Sequence, residues 1–140
     1  MSDATGGTYT LLLALGEPAR LTVGALGELR FDAGWYAYVG SANGPGGFSR
    51  IERHRELAAG ERDVRHWHID YLLGHPGTTL AAVERTAGVD GECTLAEAIG
   101  GDSVVGFGCS DCGCESHLFY RADREALFES VESAHQRIRG

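Results

Sequence analysis

The chain has 140 residues, 43% of them apolar and 23% charged, which suffices for one compact core, is too short for two full domains, and excludes wholesale disorder. The net charge of −8 excludes a uniformly basic nucleic-acid-binding surface. The longest apolar run, Leu11–Leu15, excludes a membrane-spanning helix, which needs ~20 such residues. The opening residues MSDATGGTYT lack the basic stretch of a signal peptide, so a cytoplasmic protein without a membrane partner is expected.

Taken in chain order, Thr8–Leu15 reads as a buried strand. Arg20–Val23 and Glu28–Phe31, flanking Gly24 and Gly27, read as a hairpin. Trp35–Val39 reads as an aromatic strand closed by Gly40, and Gly44–Gly47 as a loop. Phe48, Ile51, Leu57 and Ala58 predict an amphipathic helix over Phe48–Ala59, stopped at Gly60. His66–Leu73 is open between helix and strand. Thr78–Val83 predicts a strand, Glu92–Ile99 a short helix ended by Gly100-Gly101, and Val104–Phe107 and Leu118–Tyr120 two more strands. Asp123 is placed to cap a last helix carrying Leu127, Val131, Ala134 and Ile138 on one face. Strands outnumber helices, and the helices come late and singly. The expected fold is therefore α+β, one domain over residues 1–140 built on a small, largely antiparallel central sheet flanked by helices.

The charge is uneven. All 12 basic residues are Arg, and five of them, with three of the six His, fall between Arg50 and His68. A lysine-free, acidic chain resembles proteins of salt-accumulating archaea, although codon bias toward Arg produces the same signature. At molar salt the Debye length is only about 3 Å, so local contacts outweigh net charge.

Five constellations could carry chemistry. Tyr9, in Gly7-Thr8-Tyr9, and Tyr38, in Tyr38-Val39-Gly40, stand at strand ends, where a hydroxyl can reach the sheet surface; a core tyrosine with a satisfied hydroxyl has the same signature. Arg50 and His54 lie one helical turn apart, flanked by Arg53 and Arg55, which suits a phosphate, or equally a solvated face paired with Glu52 and Glu56. His66 and His68 would share one face of a strand, with Asp70 able to orient an imidazole; a polar core cluster is the other reading. Glu92 opens a helix, where a carboxylate can hold a divalent cation or simply favour the helix dipole. Cys109, Cys112, Cys114 and His117 match Cys₃His zinc stoichiometry, with Cys93 as a further thiol; a redox pair or inert thiols compete with that reading.

In this order the blocks resemble the GIY-YIG nuclease superfamily, and more narrowly its archaeal and bacterial branch known as domain-of-unknown-function family 123, some members of which are fused to endonuclease III-like proteins. The resemblance rests on Gly34-Trp-Tyr-Ala-Tyr-Val-Gly-Ser-Ala42, Arg53-His54, His66-Trp-His-Ile-Asp-Tyr-Leu-Leu73, Glu92-Cys93 and Gly106-Phe-Gly-Cys-Ser-Asp-Cys112 continuing to Ser116-His117-Leu118-Phe119, and it covers the core from about residue 7 to 121, with the last helix at about 123–139. It implies a metal-dependent DNA endonuclease using Mg²⁺ or Mn²⁺, active in DNA repair or processing on branched or damaged DNA, with an endonuclease III-like protein as partner. Tyr9, Tyr38, Arg50, His54 and Glu92 take the catalytic positions, and Glu92 holds the metal. Arg53, His66, His68, Asp70 and His117 support them. Two departures from the superfamily stand out. The Arg20–Phe31 hairpin separates the two signature tyrosines and is expected to add two strands to the sheet. The Cys-rich block is an addition that could bind Zn²⁺. The competing function is a non-catalytic nucleic-acid or protein interaction module with a structural zinc.

Overall fold

The computed structural model describes residues 7–41, 49–61, 68–87, 92–99, 102–103 and 116–139. Among these, the elements run β1 (Gly7–Leu15), β2 (Ala19–Thr22), β3 (Glu28–Phe31), β4 (Gly34–Ser41), α1 (Ser49–Ala58), α2 (His68–Leu73), β5 (Thr78–Ala87), α3 (Glu92–Ile99), β6 (Asp102–Ser103), β7 (Leu118–Arg121) and α4 (Arg124–Arg139). Five strands form one antiparallel sheet in the order β5-β1-β4-β7-β6. The expected α+β class is the observed one. No described helix is long and apolar enough to cross a membrane.

The unbroken apolar run of β1 has a simple cause: the strand is central and covered on both faces. Tyr9, Leu11, Leu13 and Leu15 point to one face, where Ile51 and Leu57 of α1 and Ile69, Leu72 and Leu73 of α2 pack on them. Leu12 points to the other, against Leu95, Ala96 and Ile99 of α3 and Leu127, Val131 and Ala134 of α4. Each such leucine contributes about 1.5–3 kcal/mol by leaving water.

The hairpin does not extend this sheet. β2 and β3 form a separate two-stranded sheet, packed on the α1–α2 side through Ala19, Val23 and Phe31. The expected two extra strands are therefore corrected. β1 already has β4 and β5 as neighbours, and β4 has β1 and β7, so a hairpin inserted between them finds no free ladder beside either strand. Gly27, at φ 77°, makes the turn that closes the hairpin, and its carbonyl accepts the Val23 N–H.

Helix ends follow local chemistry. At the end of α1, Gly60 adopts φ 80°, the Glu61 N–H donates to the Glu56 carbonyl at 2.8 Å and the Gly60 N–H to Leu57 at 3.2 Å, the paired bonds of a Schellman motif. Asp123 caps α4, its Oδ1 accepting the Glu125 N–H at 3.0 Å. Elsewhere the boundaries move. The segment read as open at His66–Leu73 is a helix from His68, which removes the strand geometry expected for His68, while His66 lies outside the described residues. β5 runs on to Ala87, and β4 runs through Gly40 to Ser41. Residues 104–107, expected as a strand, lie outside the described residues.

Candidate functional site

Tyr9 and Gly40 are register partners across β1 and β4. A side chain at Gly40 would collide with the Tyr9 ring and hydroxyl, so the missing Cβ lets the ring lie across β4. Helix α1 closes over it. The Tyr9 hydroxyl and His54 Nε2 are 2.8 Å apart, and both residues are 1% exposed. Tyr9 therefore does not present its hydroxyl at the sheet surface, as expected of a strand-end tyrosine. It is a buried partner of the helix histidine. The Tyr38 ring lies edge-on to the same imidazole, with centroids 6.3 Å apart, and is only partly buried. His54 is thus enclosed by Tyr9 and Tyr38, one helical turn after Arg50 in α1.

The orientation of α1 is fixed by an ion pair. Arg53 donates two hydrogen bonds to Asp70, Nη1 to Oδ1 at 3.1 Å and Nη2 to Oδ2 at 2.9 Å. The Asp70 side chain is fully buried and that of Arg53 is 16% exposed. Arg53 was open between a phosphate contact and an ion-paired helix face, and Asp70 between an imidazole-orienting carboxylate and a polar core cluster. They bind each other and clamp α1 to α2, because a buried carboxylate on a short helix needs a charged, bidentate partner. His68 begins α2, and partial burial lowers its pKa below the ordinary imidazole value.

The remaining predicted residues are distributed differently. Glu92 begins α3, whose apolar residues pack on the sheet face opposite Tyr9 and His54. Its side chain and those of Arg50 and Cys93 lie outside the described residues, as do His66, Cys109, Cys112 and Cys114 altogether. His117 is buried just before β7, its carbonyl accepts the Val39 N–H at 2.9 Å, and desolvation lowers its pKa, which favours the neutral ring. Among the described residues no three His, Cys, Asp or Glu groups converge as a metal site. A carboxylate such as Glu92 is nevertheless the oxygen donor that Mg²⁺ or Mn²⁺ takes, and a neutral imidazole such as that of His117 suits zinc.

The model of the family described as Domain of unknown function DUF123 matches residues 8–140. The chain belongs to that family. No curated protein and no solved structure matches it.

Two features of this DUF123 chain escaped sequence reasoning. His135 is completely buried, with Nε2 2.9 Å from the Thr10 hydroxyl and Nδ1 2.8 Å from the Thr86 hydroxyl. It ties α4 to β1 and β5 by using both ring nitrogens. The signal was its spacing of four from Val131, which puts a polar ring on the apolar stripe. Arg85 is the other. It is the register partner of Tyr9 on β5, so the two side chains leave the same face, and Arg85 is exposed. Only the pairing of β1 with β5, which no local pattern encodes, brings it there.

Proposed function

We propose that this chain is a metal-dependent endonuclease that hydrolyses phosphodiester bonds in DNA, with Tyr9, Tyr38 and α1 on one sheet face and its metal ligand, Glu92, at the start of α3. The observation that carries the reading is the enclosure of His54 between Tyr9 and Tyr38, one turn from Arg50. Hydrolysis needs a positioned water, a proton acceptor and positive charge on the phosphate. Tyr38, the more accessible tyrosine, faces the water. A phenolate base is favoured by nearby positive charge, which Arg50 and a bound cation would supply. Tyr9 and His54 hold the ring and the helix in place behind it. Arg50 carries the equatorial phosphate charge, and the exposed Arg85 contacts the neighbouring backbone. Mg²⁺ or Mn²⁺ bound through Glu92 would polarise the phosphoryl oxygen and stabilise the leaving oxygen.

The cytoplasm and a repair or processing role, with an endonuclease III-like partner, belong to the same proposal. So do the GIY-YIG relationship, a salt-accumulating archaeal origin and a zinc at Cys112, Cys114 and His117 with Cys93 or Cys109. Cleavage of linear, nicked and branched DNA should require Mg²⁺ or Mn²⁺ and stop in EDTA. Glu92→Gln and Arg50→Ala should each lower the rate by about 100-fold or more with the fold retained. Binding without cleavage by the wild-type chain under all these conditions would instead support an interaction module.

A further inference from the structure

On the other side of the molecule, a cavity of about 400 Å³ runs along α4 and is lined by Ala98, Arg121, Glu129, Ser130, Ser133 and Arg137, among others. Arg121 is the register partner of Trp35 on β4, which turns its side chain to the α4 face. Its Nε–H is buried and has no hydrogen-bond partner among the described residues. Neither Arg121 nor Arg137 takes part in any of the ion pairs formed among the described residues. A buried guanidinium N–H without an acceptor is costly in a folded chain. Arg121 and Arg137 both line the groove, and guanidinium donors match carboxylate and phosphate oxygens.

We propose that this groove binds a backbone phosphodiester of a nucleic acid, with Arg121 and Arg137 as charged donors and Ser130 and Ser133 as hydroxyl donors. The charge balance favours a monoanion. Two guanidinium groups and the single Glu129 carboxylate leave one net positive charge at the lining, which matches a phosphodiester better than a doubly charged phosphate monoester. The site is separate from the one containing Tyr9. Trp35 and Gly40 mark the two places along β4, roughly 17 Å apart at strand rise, and the groove lies on the opposite sheet face. It therefore contacts a different stretch of the nucleic acid from the one at Tyr38. The choice of a phosphodiester over a carboxylate, also a monoanion, rests on the nuclease reading above, whereas binding in this groove does not require cleavage.

The test is fluorescence anisotropy of a labelled duplex oligonucleotide with the full chain in EDTA, titrated at several KCl concentrations. Arg121→Gln and Arg137→Gln should each weaken binding by about 5- to 10-fold at the lowest salt and reduce the slope of log K against log salt by about 1. Arg30→Gln, on the exposed hairpin, should leave both unchanged. Arg137 is exposed on α4, so its substitution does not threaten the fold, and circular dichroism verifies Arg121→Gln. Unchanged affinity and slope in both variants would overturn the proposal. If inorganic phosphate raises the wild-type melting temperature but not that of Arg137→Gln, while oligonucleotide binding is the same in both, the groove holds a free anion and the phosphodiester assignment is wrong.

Discussion

Tyr9 and Gly40 show how one missing Cβ arranges a site. The ring of Tyr9 occupies the space that any side chain at position 40 would need, and that placement lets its hydroxyl meet His54. Gly40→Ala should destabilise the chain by about 1–3 kcal/mol, the usual cost of overpacking. Gly40→Ala should cost less in a Tyr9→Ala background than in the wild type, because the colliding ring is gone, and as much in a Tyr9→Phe background, because the ring remains; denaturant titration of the six proteins measures this. His117 gives a pH prediction. Its folded-state pKa lies below the unfolded value of about 6.5, so the unfolded chain binds the proton more readily. Stability present above pH ~6.5 is then lost as the pH falls through the folded pKa. Melting temperatures in EDTA between pH 8 and 5 should fall less steeply for His117→Gln than for the wild-type chain. Parallel curves would assign the acid sensitivity to other groups.

At the scale of elements, the Arg53–Asp70 pair decides where α1 sits, and α1 carries Arg50 and His54. Asp70→Ala leaves a largely buried guanidinium without its partner and should cost about 3–5 kcal/mol. Arg53→Met with Asp70→Leu removes both charges and should recover most of that stability. The chevron arms and denaturation midpoints of the three proteins check the ordering. The same helix illustrates what the sequence made legible. Its end at Gly60, the span Glu92–Ile99 and the Asp123 cap were readable because each depends on residues within one or two turns. The partners of these elements were not. His54 meets Tyr9 at a separation of 45 residues, and His135 meets Thr10 at 125, distances over which no periodicity carries information. The hairpin was legible as a hairpin and misplaced in the sheet, since local turn chemistry says nothing about which ladders are already taken. The candidate residues were legible as chemical types, whereas Arg53 and Asp70 turned out to be each other's partners.

For the whole molecule, 20 acidic residues against 12 arginines and no lysine make self-repulsion a global term. Raising KCl from dilute buffer to molar concentration shrinks the Debye length to about 3 Å and should raise the melting temperature. A flat or falling curve would remove salt adaptation as the reason for the composition. The two proposed sites use different sheet faces. One face carries Tyr9 and Tyr38 with α1, and the other carries the α4 groove with its two arginines. The proposed chemistry draws Tyr38 and Arg50 from the first face and Glu92 from the start of α3, whose apolar residues pack on the second. Its most direct test is single-turnover cleavage of a labelled DNA by the wild-type chain and by Tyr38→Phe, in Mg²⁺ and at matched melting temperature. The account predicts Mg²⁺-dependent cleavage by the wild type and a fall of about 100-fold or more in the variant, the scale of a lost proton acceptor. Equal rates in the two proteins would contradict it.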